Sequence, residues 1–368
     1  MDTYRIAVIR GDGIGTEVVP EGLKVLSAVA DLAGEFAFEF KHFPWGCAYY
    51  LRHGVLMPQE GIADLAGFDA IYLGAVGMPG AVPEEVAVRG LVLRIRFGFD
   101  QFANVRPVKP VPGADCVLKG KNPQDIDMVV IRENTEGMYM GLGGRFMPGS
   151  AEYEAHKGLR PQFGTSGELA VQTGIFSELG CRRVIQYAFE LARKRQRLGR
   201  VTSCTKANAL NHGMTLWNEV FDDVSAHYPD IAGDWQNVDA MAMRLMLEPE
   251  AYDVVVAPNL FGDIITDLTT VLQGGIGLSP GGNISRTGPS MFEPPHGSAP
   301  DIAGRGIANP LAAILTAAMM LDELGRPQWA DRVRAAVGRV VEQAQALTPD
   351  LGGSAGTSAV GDAVVQGL

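Results

Sequence analysis

Short apolar runs rich in β-branched residues alternate with segments of helical spacing along this chain. That alternation constrains the fold more than any other feature. RIAVIRG (5–11), FAFEFKHF (36–43), DAIYLGAVG (69–77), DMVVIREN (127–134), the start of RVTSCTKANAL (200–210) and YDVVVAPN (252–259) read as strands. Between them, TEVVPEGLKVLSAVADLA (16–33) and RVIQYAFELARKR (183–195) space their apolar residues for one helix face. LAAILTAAMMLDELG (311–325) reads as an apolar helix with Gly325 as its stop and Pro327 just beyond. Such alternation predicts an α/β protein with a parallel or mixed sheet. At 368 residues the chain is too long for one small core, which leaves two domains or one large α/β unit. Segment 143–169 breaks the pattern: it is polar and glycine-rich, with no core-facing period. A plain loop and an arm reaching a partner subunit both fit it.

Composition narrows the functional classes. With 31 basic and 42 acidic residues the net charge is −11, which argues against nucleic acid as a partner because phosphate binding wants a basic surface. The opening MDTYRIAVIRGDG has no basic stretch followed by an apolar one, so no signal peptide is expected, and no apolar run is long enough to span a membrane. Cys47, Cys116, Cys181 and Cys204 are scattered, without a C-x-x-C pair, and fit reduced, mostly buried thiols in a cytoplasmic protein.

Several short strings carry chemistry. In NLFGDIITD, Asp263 and Asp267 stand four apart, one helical turn, pointing the same way. A solvated face, an acidic residue near a helix start and a bridging divalent cation all fit that spacing. Arg96 and Arg106 cluster in RIRFGFDQFANVRPVKP, and Arg132 follows the apolar strand MVVI, where a strand end would aim it into a cleft. Converging guanidiniums grip carboxylates bidentately; Arg94 reads as an ordinary surface residue. Tyr139 and Lys206 each follow a strand and could move protons. Asp239 opens VDAMAMRLMLEP, as a helix cap or as a third carboxylate. FEPPHGSAPDIAGRGIANP is a long, elaborate loop whose amides around Gly297 and Ser298 could hold phosphate, and whose Asp301 could bind a ribose diol. The glycines of IRGDGIG are spaced G-x-G-x-G at Gly11, Gly13 and Gly15, with no acidic residue ending a second strand, so a Rossmann fingerprint is rejected.

Taken in order, GDGIG, ANVRP, RENTEG-x-Y, TKAN, DAMAM, NLFGDIITD and EPPHGSAPDIAGRGIANP resemble the β-decarboxylating dehydrogenases, from residue 5 to about 325. The family includes isopropylmalate, isocitrate, homoisocitrate, D-malate and tartrate dehydrogenases. The resemblance implies a two-domain α/β fold around a large mixed sheet, of isopropylmalate dehydrogenase type. Its first, cofactor-side domain would be discontinuous, 1–101 and 275–368. The second, 102–274, would form a homodimer with shared active sites, with 143–169 as its arm. Arg96, Arg106 and Arg132 match the arginines that hold the malate moiety. Tyr139 matches the proton donor. Lys206 and Asp239 match groups supplied by the other subunit, the first assisting hydroxyl deprotonation, the second joining Asp263 and Asp267 at Mg²⁺ or Mn²⁺. His296, Gly297, Ser298, Ala299, Pro300, Asp301, Ile302 and Asn309 match the adenosine-binding loop. NADP-dependent relatives carry Lys–Tyr where this chain has Asp301–Ile302, which implies NAD. The family also brings K⁺ as an optional ion.

Substrate choice in this family lies in the helix before the arginines, here VAVRGLVLRIR. Gly90 and Val92 stand where isocitrate enzymes place serine and asparagine, which argues against isocitrate. Val92–Leu93 is close to the Leu-Leu pair of isopropylmalate enzymes. HFPWGCAYYLRHGVLMP and SPGGNI resemble the tartrate and D-malate branch, although Arg89 replaces its usual tryptophan. The implied activity is oxidative decarboxylation of D-malate, tartrate or a 3-substituted malate. 3-Isopropylmalate is the alternative substrate. A silent regulatory subunit and a binding module without chemistry are disfavoured, because the metal aspartates, tyrosine and lysine are all present.

Overall fold

The computed structural model describes residues 2–114, 116–158 and 167–368. Its strands are β1 (Asp2–Gly11), β2 (Phe36–His42), β3 (Ala70–Ala75), β4 (Ala103–Val108), β5 (Met128–Glu133), β6 (Gly137–Phe146), β7 (Leu169–Ile175), β8 (Arg200–Thr205), β9 (Ala232–Asn237), β10 (Val254–Ala257), β11 (Gly282–Ile284) and β12 (Ser290–Phe292). Ten of them form one sheet in the order β2-β1-β3-β12-β11-β4-β5-β10-β8-β9. The strands read as apolar runs are its spine: β3, β5 and β10 are buried at every residue. Burial on both faces suits continuous β-branched runs, and helices cover both sides.

Both flanks of the sheet are parallel and its centre is not. β1 pairs parallel with β2 and β3, and β10 pairs parallel with β5 and β8. β4 runs antiparallel to β5 and to β11, and β11 antiparallel to β12. The mixed sheet expected from the sequence is therefore present. Its central strands β11 and β12 are only three residues each and carry no readable period. They bring the chain back beside β3 and β4 after an excursion through β5–β10. Gly325 lies just past helix Leu311–Glu323 with a left-handed φ of 75°, and Pro327 occupies the first position of the next helix.

Segment 143–169 is not a plain loop. β6 and β7 form a separate antiparallel ribbon, and helix Ala151–Lys157 lies between them. Residues 159–166 of this segment lie outside those described. The ribbon lacks a core-facing period because it has no core beneath it: Met138, Met140, Leu142 and Ile175 are all exposed. Among the described residues, no helix is long and apolar enough to cross a membrane. The four cysteines are unpaired, and Cys47, Cys181 and Cys204 are buried.

Candidate active site

Helix Asn259–Leu272 follows β10 and packs against β5, and its first turns are built around one arginine. Asn259 Oδ1 accepts from Arg132 Nε at 3.0 Å and from Nη2 at 2.7 Å. Asp263 takes Nη1 in an ion pair. A Cβ at Gly262 would stand 2.6 Å from the Arg132 Cβ, so only glycine lets the arginine lie this close. The motif N-x-x-G-D is thus a cradle for Arg132, which is 3% exposed. A buried guanidinium requires such partners.

Asp263 is the fifth helical residue, and no acidic residue occupies the first turn, so dipole complementation does not explain the pair. Asp263 Oδ2 also accepts from the Tyr139 hydroxyl at 2.6 Å, and the Arg132 guanidinium lies 4.7 Å from the centre of the Tyr139 ring. Burial, then the hydrogen bond to Asp263, raises the Tyr139 phenol above its ordinary range. The phenol is therefore protonated at neutral pH, the state a proton donor needs. Asp267 stands at the solvent edge. Partial desolvation of its carboxyl and the charge of Asp263 push it above the ordinary carboxylate range, against Arg106 and Arg132. A carboxylate raised in this way by a neighbour one helical turn away fits a hard divalent cation, which takes oxygen donors and relieves the repulsion.

The other two arginines converge here from different elements. Arg96 comes from helix Arg94–Gly98, which a wide π-helical turn, Val88–Leu93, precedes. Its Nη2 pairs with Glu293 Oε1 at 2.6 Å, and both side chains are buried. Arg106 comes from β4 and donates from Nε to Asn104 Oδ1 at 2.8 Å. Burial lowers its guanidinium to about 10; Glu293 opposes the shift, whereas Arg96 and Arg132 add to it. Mutual repulsion of three buried cations marks a site made for anions. Asn283 on β11 ties the centre together. Its Oδ1 accepts from Asn104 at 2.8 Å and Asn134 at 3.0 Å, and its Nδ2 donates to Glu293 at 2.9 Å. Arg94 donates to the Met57 and Gln59 carbonyls, a structural role. Val92 is half-buried and packs on the apolar cluster under β1 and β3.

Lys206 and Asp239 stand apart. They form an ion pair with each other at 2.8 Å. Among the described residues no hydrogen bond or ion pair joins them to Asp263, Asp267 or Tyr139, and no three His, Cys, Asp or Glu side chains are grouped to hold a metal. Asp239 lies in the first turn of helix Val238–Leu247. The residue before that helix, Asn237, makes no side-chain capping bond.

The 293–309 loop rests on the turn between β1 and helix Gly15–Ala33. Ile14 N–H donates to the Ser298 carbonyl at 2.9 Å. Gly13 has φ +54°, and a Cβ there would meet that same carbonyl oxygen at 2.0 Å. Gly13 therefore serves contact between turn and loop, whereas a Cβ on Gly11 or Gly15 would meet Ala75 at the end of β3. Glu17 accepts from the amides of Gly304 and Gly306, the latter at 2.8 Å. His296 is buried; its Nδ1 meets the Gly297 carbonyl, and its Nε2 has no partner among the described residues. Burial lowers its pKa, so the ring is neutral. A Cβ at Gly297 would meet open space, and Asp301 is exposed. An orphaned imidazole nitrogen beside an open cradle fits a nucleotide-sized ligand. Ala299 takes φ +41° and Pro300 and Ile302 continue the turn. Asn309 is used internally: it caps Leu311 N–H and donates to Asp350.

Sequence reasoning missed Asn259, Glu293, Asn283 and Asn104. All four lie inside strings quoted for other reasons, but partnership across up to 197 positions leaves no local signal.

The family model described as isocitrate/isopropylmalate dehydrogenase matches residues 5–364. A probable tartrate dehydrogenase/decarboxylase of Agrobacterium vitis is 47% identical over 370 residues, covering 100% of this chain and 98% of the relative. The decarboxylating D-malate dehydrogenase of Escherichia coli K12 is 45% identical, covering 100% and 99%. The crystal structure of isocitrate dehydrogenase from Methylococcus capsulatus superposes with a TM-score of 0.84 at 33% identity, covering 99% of both chains.

Proposed function

Because the chain belongs to the isocitrate/isopropylmalate dehydrogenase family and is a decarboxylating dehydrogenase acting on a CH–OH group, we propose that it oxidises and decarboxylates a D-malate-type 2-hydroxy acid: D-malate, tartrate or a 3-substituted malate. The observation that carries this reading is the convergence of Arg96, Arg106 and Arg132 beside the Asp263–Asp267 pair. Three guanidiniums match the carboxylates of such an acid. The aspartates would hold Mg²⁺ or Mn²⁺, which when bound supplies Lewis-acid polarisation of hydroxyl and carboxylate oxygens. The 293–309 loop would hold NAD, with Asp301 on the adenosine ribose; the nicotinamide would supply the hydride acceptor.

The chain's own groups do the rest. The arginines orient the substrate so that the C2 hydrogen and the C3 carboxylate take their reacting geometry. Lys206 assists removal of the hydroxyl proton. Tyr139, protonated and held against Asp263, delivers a proton to the carbon that loses CO₂. Lys206 and Asp239 are paired away from Asp263 within one chain, so this chemistry calls for a homodimer in which each site borrows both from its partner. An apolar groove of about 720 Å³, lined by Met138, Ile175, Leu210 and Leu260 among others, adjoins the helix that bears the aspartates and supports that assembly. Met243, Leu247 and Ile264 are further exposed apolar side chains, on helices Val238–Leu247 and Asn259–Leu272. We read 1–101 with 275–368, and 102–274, as two domains closing on the substrate, and the β6–β7 ribbon as the dimer arm. Four unpaired thiols suit the cytoplasm.

NADH formation with NAD and Mn²⁺, measured in parallel on D-malate, both chiral tartrates and 3-isopropylmalate with a chelator control, tests the proposal. Preference for D-malate or a tartrate, abolished by chelator, is the expected result; preference for 3-isopropylmalate overturns the substrate assignment. Tyr139→Phe is expected to slow CO₂ release by about 10²- to 10⁴-fold while hydride transfer in a single turnover changes far less. Normal CO₂ release would remove Tyr139 from the mechanism.

A further inference from the structure

Arg89 is a cation that the mechanism above does not use. It sits in the π-helical turn Val88–Leu93, whose continuation delivers Arg96 to the site. Wide turns of this kind recur at functional sites because they re-aim side chains. Its nearest carboxylate is Glu85, whose Oε1 is 4.0 Å from Nε, and both side chains are largely exposed. Such a pair holds the guanidinium weakly. Among the described residues Arg89 makes no hydrogen bond.

Its head lies over β6. Both terminal nitrogens lie 2.7 Å from the place a Cβ on Gly141 would take. Gly141, with φ +75°, is in β6, two residues after Tyr139. Arg89 therefore reaches from the sheet half that carries Arg96 to the strand that carries Tyr139. It occupies space that any other residue at 141 would fill. Gly90, beside it, has no side chain, and a Cβ there would stand 2.6 Å from Leu56. The turn thus packs its glycine on Leu56 and presents one long basic side chain toward β6.

We propose that Arg89 is a specificity-determining residue that takes a carboxylate on the C3 substituent of the substrate. This deepens the proposed function and rests on it. Arg96, Arg106 and Arg132 serve the malate part; Arg89, over the proton donor's strand, offers a free planar fork to a further anionic group. A hydrogen or an alkyl group at C3 leaves that fork unmatched, whereas a carboxylate satisfies it bidentately.

The test compares wild type with Arg89→Ala and Arg89→Met. Probes are D-malate, 3-isopropylmalate, isocitrate (a malate with a carboxymethyl group at C3) and its carboxyethyl homologue. The expected result is that wild type turns over an acid-bearing probe, and that the ratio of its kcat/KM to that of D-malate falls at least about tenfold in both variants. The loss is expected mainly in KM. An unchanged ratio, including an equal loss on all probes, overturns the proposal, as does a wild type that ignores both acid-bearing probes while oxidising D-malate. Wild type inactive on every probe overturns the proposed function itself.

Discussion

Asp263→Asn is expected to reduce turnover by roughly 10³-fold or more, because losing about 4 kcal/mol of charge stabilisation at the reacting oxygens costs that factor. The structure makes the prediction sharper than a plain loss of activity. Asp263 has two partners in the protein, Arg132 and Tyr139. An asparagine keeps one acceptor oxygen but loses the charge that balances a buried guanidinium. Activity alone would then confuse a metal ligand with an anchor for Arg132. Mn²⁺ affinity, read by titration of the folded variant without substrate, separates the two. Weakened Mn²⁺ binding together with lost turnover is the expected pair of results. Intact Mn²⁺ binding with lost turnover would make Asp263 an anchor only, and unchanged activity at modest Mn²⁺ would remove it from the site.

Glu293→Leu is expected to cost about 3–5 kcal/mol of stability, the range for breaking a buried ion pair by removing one partner. Arg96 would then be left buried without its carboxylate, and Asn283 Nδ2 would lose an acceptor. The measurement is denaturant unfolding, with the midpoint falling and the slope unchanged. A cost below about 1 kcal/mol would show that the pair does not balance itself as described. The pH dependence carries a sign. Burial alone would raise the Glu293 carboxyl, but Arg96, Arg106 and Asn283 together hold it below the ordinary range. A carboxylate depressed in the folded state stabilises fully above its unfolded pKa of about 4.3. That contribution is lost as pH falls through the lower folded value. The stability gap between wild type and Glu293→Gln is therefore expected to be flat from pH 8 to pH 5 and to shrink only below about 4.3.

Much of this protein could be read locally. β3, β5 and β10 announced themselves as unbroken apolar runs because strands buried on both faces need no alternation. The helices announced themselves by period and by stops such as Gly325. The candidate residues were legible as well, since the order of short motifs resembled one family along nearly the whole chain. What was illegible shares a cause. β11 and β12 are three residues long, too short for any period. The β6–β7 ribbon has no core beneath it, so its sequence looked like a loop.

By itself, then, the sequence determined the alternation of strand and helix, the class of fold and the identity of the groups that bear charge. Each of these rests on interactions between residues near one another in the chain, or on residue chemistry alone. Only the tertiary structure decided which charges meet. Arg96 found Glu293, Arg132 found Asn259 and Asp263, and Arg89 found the empty side of Gly141. These pairings depend on strand order in a mixed sheet, where β12 and β11 return to lie between β3 and β4. A buried charge must be matched wherever the fold puts it, and the position of its partner is a property of topology that no local pattern encodes.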